Sequence, residues 1–117
     1  MINNTMETVK TIIKAIDEKK GLDIRILDIN NVSNIADFFV IAHGKSTRQV
    51  KAIADEVEKT LKEKSVLLGH KEGYRDGKWI LLDYKDVVVH VFTEEERGFY
   101  GVERVWKDAK DICLDNF

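Results

Sequence analysis

The chain has 117 residues, with 19 Lys and Arg against 21 Asp and Glu and a formal net charge of −2. This length predicts one domain, residues 1–117, with a core that needs no disulfides. Proteins whose affinity comes from nucleic-acid phosphates are usually basic, so we expect no direct sequence-specific nucleic-acid binding. The sequence has no apolar run of membrane-spanning length, a polar N-terminus unlike a secretory signal, and a single Cys113. These features predict a cytoplasmic protein that binds proteins or small molecules.

An amphipathic helix opens the chain and two strands follow it. Its apolar residues recur at helical spacing: Met6, Val9, Ile12, Ile13 and Ile16. Asn4 is expected to cap this helix, and Gly21 to end it in the left-handed conformation. Residues 24–29 predict the first strand. Residues 38–42 are almost all apolar, which predicts a central strand buried on both faces.

The clearest helix start in the chain lies at Ser46. Ser46 and Gln49 have capping-box spacing and precede an apolar helical face. Strands on either side of this helix indicate a parallel pair with a right-handed crossover. Residues 66–72 predict a weak strand, and residues 73–78 predict a loop.

Residues 79–92 form the most informative stretch. Two β-type runs, 79–82 and 87–92, flank a short polar break and predict an antiparallel hairpin. Alternation places Ile80, Leu82 and Tyr84 on one face, and Trp79, Leu81 and Asp83 on the other. A half-solvated strand would carry polar residues on its second face. That face is therefore either covered within the fold or kept for a partner.

The C-terminal part predicts one more helical region, which is interrupted by a break. Thr93 begins a second capping box, and Gly98 and Gly101 indicate a short helix followed by a break. Residues 102–109 predict a last amphipathic helix, and residues 111–117 a frayed tail. The order α-β-β-α-β-β-β-α predicts an α/β fold with a mixed β-sheet flanked by helices.

Gly44, Lys45 and Ser46 are the strongest candidates for an anion site. They join an apolar strand to a helix N-terminus, where backbone N–H groups converge. The glycine spacing of P-loops and dinucleotide-binding folds is absent. A turn glycine followed by a capping serine is therefore favoured.

The carboxylates and histidines do not form a catalytic or metal-binding pattern. The relevant residues are Asp28, Asp37, Asp83, Asp86, His43, His70 and His90. Phosphoryl transfer needs carboxylates on neighbouring strands to hold magnesium, whereas these aspartates lie at strand edges or across a turn. The histidines share no metal-ligand spacing, so we expect no metal and no cofactor. His90, within a run of valines, is expected to be a hydrogen-bonded sheet residue rather than a catalytic base.

Several segments resemble one known family, in its order, over essentially the whole chain. They are residues 27–29, 36–42, 44–50, 53–55, 72–73, 79–84 and 86–92, with Arg97 and residues 99–100. The strand at 37–42 and the hairpin at 79–92 are together specific. On these residues the chain resembles the Iojap family, the bacterial ribosomal silencing factors RsfS.

The resemblance implies a nucleotidyltransferase-like α/β fold without a catalytic site, and therefore a protein that is not an enzyme. It implies binding to the large ribosomal subunit through ribosomal protein L-fourteen, on the surface that faces the small subunit. A factor bound there blocks subunit joining and represses translation when nutrients fall.

The predicted partner-binding residues are Trp79, Leu81, Asp83, Tyr84 and Asp86, with Glu72, Arg97 and Tyr100 at the edge. Tryptophan and tyrosine are frequent interface hot spots, and the carboxylates suit a basic partner. Arg97 is either a surface residue or the partner of Asp83 or Asp86. Family members commonly carry glycine where this chain has Lys85, so a positive φ there would strain the lysine by roughly 1 kcal/mol.

Two other functions stay open at this point. One is a nucleotide-binding or nucleotidyltransferase-type enzyme that uses the turn at Gly44, Lys45 and Ser46. The other is a dimerising module in which the apolar hairpin face pairs with its own copy, so that the free protein is a homodimer.

Overall fold

The computed structural model describes residues 5–30, 34–101 and 110–112, with only the backbone for Tyr100 and for 110–112. Its elements are α1 (Thr5–Glu18), β1 (Leu22–Asp28), β2 (Phe38–Gly44), α2 (Thr47–Glu63), β3 (His70–Glu72), β4 (Trp79–Asp83), β5 (Val87–Thr93), α3 (Glu94–Tyr100) and β6 (Lys110–Ile112). Within the described ranges one six-stranded sheet has the order β3-β4-β5-β2-β1-β6. The pair β2–β5 is parallel and the other pairs are antiparallel. The predicted α/β fold with a mixed sheet and flanking helices is thereby confirmed.

Helices α1 and α2 pack on one face of the sheet, which we call the helix face. Their apolar stripes meet the inward side chains of β1, β2, β4 and β5 in the larger of two hydrophobic clusters. In α2 the stripe consists of Val50, Ile53, Ala54, Val57 and Leu61, all with no exposed surface. Burying each Val, Ile or Leu side chain contributes about 1.5–3 kcal/mol, so this cluster is the main source of stability.

The two central strands, β2 and β5, are largely buried on both faces, which confirms the prediction made for residues 38–42. Strand β2 pairs with β5 in register from Phe38 opposite Val87 to Gly44 opposite Thr93. The parallel partner of β2 is therefore not the next strand along the chain, because β3 and β4 lie beyond β5 in the sheet. Both central strands end at the same edge, where helices α2 and α3 begin.

The predicted helix caps at Ser46 and Thr93 are both confirmed. The Ser46 hydroxyl accepts from the backbone N–H of Gln49 at 3.1 Å, and the Thr93 hydroxyl accepts from that of Glu96 at 3.3 Å. Gly101 ends α3 in the left-handed conformation. Gly98 lies inside this helix, so the predicted break occurs at the second glycine alone.

The predicted ending of α1 is wrong in its residue. Lys20, with φ of 60°, takes the left-handed position that was assigned to Gly21. Gly21 serves close packing instead, since a Cβ atom built there would lie 2.3 Å from the Cγ2 atom of Ile16. Position 21 does favour glycine, but because a larger side chain would clash with Ile16 and not because φ is positive there.

Two predicted segments near the sheet edges also need correction. The strand expected over 66–72 is confined to His70–Glu72. The tail expected over 111–117 instead supplies part of β6, which pairs antiparallel with β1. That pairing satisfies backbone groups that an edge strand would leave unpaired, and three residues are too few to show a period in the sequence. The predicted helix at 102–109 and the cap at Asn4 lie outside the described residues.

Candidate functional site

The edge of the sheet at β3 and β4 brings four predicted binding residues together. Ile80 and Leu82 have no exposed surface on the helix face, whereas Trp79, Leu81 and Asp83 are half-buried on the opposite face, here the second face. The exposed Glu72 lies directly opposite Leu81 in the β3–β4 ladder, so the two side chains share that face. We call Glu72, Trp79, Leu81 and Asp83 the β4 strip.

A smaller hydrophobic cluster lies beneath the β4 strip. It consists of Leu27, Ile29, Ala36, Phe39, Ile41, Val88 and Phe92, all buried. Trp79 and Leu81 pack against its side while keeping part of their own surface exposed. The centre of the second face is therefore covered within the fold, as the first alternative predicted, whereas its β4 edge keeps some exposed surface.

Strand β3 is held in place from the helix face. Lys71 forms an ion pair with Glu58 of α2 at 3.1 Å, and the Tyr74 hydroxyl donates to Asp55 of α2 at 3.0 Å. A three-residue strand has few ladder bonds of its own, so these contacts fix the edge that carries Glu72.

The indole of Trp79 has a defined orientation. Its ring stacks on Phe92, with centroids 4.9 Å apart and an interplanar angle of 27°. Its Nε1–H donates to Nδ1 of His90 at 3.2 Å. The polar edge of the ring therefore points into the protein.

His90 is the buried partner that receives this hydrogen bond. Its side chain is 4% exposed and meets the Phe39 ring edge-on at 4.6 Å. Because Nδ1 accepts a hydrogen bond, it carries no proton, and neutral His90 has its proton on Nε2. Burial lowers the pKa of His90 to about 4, which keeps the ring neutral. The expected hydrogen-bonded sheet histidine is confirmed.

The sequence analysis missed the Trp79–His90 contact, although the hairpin contains a signal for it. The β4–β5 register sets Trp79 opposite Phe92 and Leu81 opposite His90. Trp79 and His90 are therefore diagonal neighbours on one face, a separation that an indole ring can span.

The hairpin turn uses one carboxylate oxygen of Asp83. This oxygen accepts from the Lys85 backbone N–H at 2.7 Å, and the Asp86 N–H donates to the Tyr84 carbonyl at 3.0 Å. Lys85 has φ of 77° and is the centre of a γ-turn, a strained form when φ is positive. The positive φ that the strain at Lys85 depended on is thus observed, and the size of the strain stays a prediction.

Replacing Lys85 with glycine is expected to stabilise the protein by about 0.5–1 kcal/mol, because relief of left-handed strain exceeds glycine's entropy cost. Urea denaturation midpoints measure the effect. The matched control is Lys78→Gly, at an exposed loop position without a positive φ, which should lose stability. Equal losses in both variants would show that the turn is not strained.

Tyr84 lies away from the β4 strip. Its side chain is 9% exposed and belongs to the cluster beneath the helices. Among the described residues its buried hydroxyl has no hydrogen-bond partner. Burial, assisted by the negative charge of Glu58, raises the pKa of this phenol.

Tyr84→Phe is expected to raise the free energy of unfolding by roughly 1 kcal/mol, because an unsatisfied buried hydroxyl is removed while the ring still packs. Chemical denaturation midpoints of Tyr84→Phe and of the wild-type protein measure the effect. A lower stability of Tyr84→Phe would show that this hydroxyl is not an unsatisfied buried group.

Arg97 is buried at a different part of the sheet. It is 7% exposed, donates to the Asp23 carbonyl at 2.7 Å and to Nδ1 of His43 at 2.9 Å, and forms an ion pair with the Asp23 carboxylate at 3.6 Å. Its ion-pair partner is therefore Asp23 rather than Asp83 or Asp86. The reason is topological, since α3 follows the far end of β5 and the hairpin turn precedes its near end.

The last two predicted residues do not join the β4 strip by any described contact. Asp86 is exposed in the hairpin turn and borders a shallow groove with Asp37 and Lys85. The side chain of Tyr100 lies outside the described part of the structure.

The turn at Gly44, Lys45 and Ser46 is organised for capping. The Lys45 N–H donates to Oε1 of Gln49 at 2.7 Å, and the Gln49 amide donates to two carbonyls at the end of α1. With the Ser46 cap, Gln49 thus joins the two helices and occupies N–H groups that an anion would need. Within residues 5–30, 34–101 and 110–112, no three His, Cys, Asp or Glu side chains group to hold a metal ion. No described helix has the length and apolarity to cross a membrane.

Comparison with known proteins identifies the family. The family model described as ribosomal silencing factor during starvation, RsfS, matches residues 2–117. The ribosomal silencing factor RsfS of Halalkalibacterium halodurans is 40% identical over 112 residues, which cover 96% of each chain. That of Bacillus subtilis is also 40% identical over 112 residues, covering 96% of this chain and 95% of the relative. A crystal structure of a Chromobacterium violaceum protein superposes with a TM-score of 0.87 at 38% identity, over 89% of this chain and 87% of that one. The resemblance noted in the sequence is therefore confirmed, and the chain belongs to the RsfS family of ribosomal silencing factors.

Proposed function

We propose that this protein binds the large ribosomal subunit through ribosomal protein L-fourteen, blocks joining of the small subunit, and so represses translation in the cytoplasm. The family match across residues 2–117 supports this proposal. The observation that favours the β4 strip as the interface is that a partly exposed tryptophan and leucine lie there beside two carboxylates.

The composition of the β4 strip suits a basic protein surface. Covering the exposed parts of Trp79 and Leu81 would contribute roughly 25 cal/mol for each Å² of apolar surface. Asp83 and Glu72 would attract lysines and arginines and speed encounter at low ionic strength. Since the whole chain is only slightly acidic, with a net charge of −2, this attraction depends on the local placement of the carboxylates.

Blockade of subunit joining requires only occupancy. The protein measures 36 × 33 × 27 Å, which is large enough to keep two surfaces apart wherever it is seated between them. Catalysis is not needed for this mechanism, and the proposal is that the protein is not an enzyme. Inhibition should then follow the fraction of large subunits that carry the protein.

The rival nucleotide-binding function is less well supported. Two backbone N–H groups near the start of α2, those of Lys45 and Gln49, are already bonded to the side chains of Gln49 and Ser46. Glu94, Glu95 and Glu96 line the same groove as Ser46, and their charge would repel a phosphate. Saturable binding of magnesium–ATP in a calorimetric titration would restore this candidate.

Co-sedimentation with separated ribosomal subunits tests the proposed function. The wild-type protein should pellet with large subunits and should reduce the yield of joined ribosomes as its concentration rises. Glu63→Lys, an exposed change at the end of α2, is the matched control and should act like wild type. Undiminished subunit joining at saturating protein would contradict the proposal. Self-association that disappears on binding would show that a homodimer uses the same face.

A further inference from the structure

We propose that His90 is a positioning residue for Trp79, holding the indole in the orientation in which a partner contacts it. The inference rests on the proposed function, since it concerns how the β4 strip is prepared for binding. It adds a buried residue to a site otherwise defined by its surface.

The contacts of Trp79 hold the inner part of its ring, while part of the side chain stays exposed to solvent. Phe92 supports one side by stacking, and His90 takes the inward Nε1–H. Stacking alone leaves a ring free to slide or turn within its plane. The hydrogen bond removes that freedom because it requires one edge of the indole to face His90.

The choice of residue at position 90 is not explained by packing. The other side chains of β5 from Val87 to Phe92 are apolar, and an imidazole buried among them must be desolvated. Its Nε2 atom is buried and has no hydrogen-bond partner among the described residues. An apolar side chain would avoid this penalty. The hydrogen bond from Trp79 is the described interaction that an apolar residue at position 90 could not make.

His90 is itself held firmly enough to act in this way. Phe39 meets its ring edge-on at 4.6 Å, and Phe92 stacks parallel to it at 6.2 Å. A fixed acceptor then presents the indole already ordered, so that less conformational freedom is lost on binding. Removing the acceptor should therefore weaken binding even though His90 itself is not exposed to a partner.

The test combines a spectroscopic signal with subunit binding. In a Trp106→Phe background Trp79 is the single tryptophan, so its indole N–H gives one assignable NMR resonance. His90→Phe removes the acceptor and is expected to speed hydrogen exchange of that N–H and to lower affinity for large subunits roughly tenfold, the scale of one lost hydrogen bond. His90→Asn places an oxygen where Nδ1 lies and should keep both properties within about threefold of wild type. His90→Gln, with the same amide displaced by one methylene, is its matched control and should behave like His90→Phe.

A double-mutant cycle separates positioning from general stability. Trp79→Phe keeps an aromatic ring but has no N–H to donate, so adding His90→Phe should not weaken binding further. Independent effects that multiply in the double variant would overturn the proposal. The proposal would also be overturned if His90→Phe bound large subunits with wild-type affinity while its indole N–H exchanged rapidly. That outcome would leave the proposed function intact. If the wild-type protein does not bind large subunits, the proposed function fails instead.

Discussion

Replacing Trp79 with alanine is expected to weaken binding to large ribosomal subunits by at least about 2 kcal/mol, the usual cost of truncating an aromatic hot spot. The indole is half-buried at the sheet edge, so the exposed part of its apolar surface can be covered by a partner. Phe92 and His90 already order the ring, so binding costs little additional entropy. The protein should remain folded, because the larger cluster lies on the opposite face.

The neighbouring residue provides the matched control. Ile80 lies next to Trp79 in β4 but is fully buried on the helix face. Ile80→Ala should lose about 2–5 kcal/mol of stability, as core truncations do, while its folded fraction binds subunits normally. Circular dichroism melts beside pelleting assays distinguish the two variants. Wild-type pelleting by folded Trp79→Ala would place the interface elsewhere.

The charge of Asp83 has to be tested with a substitution that keeps the hydrogen bond of the hairpin turn. One of its oxygens accepts the Lys85 N–H, so reversing its charge with lysine would disturb the hairpin as well. Asp83→Asn keeps an oxygen acceptor and removes only the charge. We expect it to slow association with large subunits at low salt and to have little effect at high salt, where screening already weakens steering.

The stability of the protein is expected to fall by about 2 kcal/mol between pH 7 and pH 5, through His90 alone. Burial lowers the pKa of His90 to about 4 in the folded protein, whereas an unfolded histidine titrates near about 6.5. Between these values the unfolded chain binds a proton that the folded protein does not. A fall in pH within this window therefore favours unfolding. The stabilisation that comes from neutral His90 is complete above about pH 6.5 and is lost as the pH falls towards 4.

Denaturant midpoints at a series of pH values measure this effect. His90→Phe should flatten the dependence across the window, since the titrating group is gone. Val88→Ala is the control, because this buried neighbour in β5 carries no titratable group: it should lower stability at every pH and leave the slope in place. An unchanged slope in His90→Phe would show that other groups cause the acid sensitivity.

Short-range patterns in the sequence determined the elements and several of their ends. The stripes of α1 and α2, the caps at Ser46 and Thr93, and the hairpin of β4 and β5 all depend on residues a few positions apart. Such patterns report local periodicity and local hydrogen bonding, which depend only on neighbouring residues and not on the tertiary structure. Alternation along β4 likewise separated Trp79 and Leu81 from Ile80 and Leu82 correctly.

Only the tertiary structure decided which distant segments meet. It paired β2 with β5 and β6 with β1, joined Arg97 to Asp23, and covered Tyr84 beneath the helices. It also showed that Trp79 donates to His90, and that Gln49 bridges two helices. These contacts depend on sheet order and on side-chain packing between residues far apart in sequence, and no local period encodes them. The family and the two faces of β4 were therefore readable from the sequence, whereas the position of β4 near the sheet edge and the contacts that orient Trp79 required the folded protein.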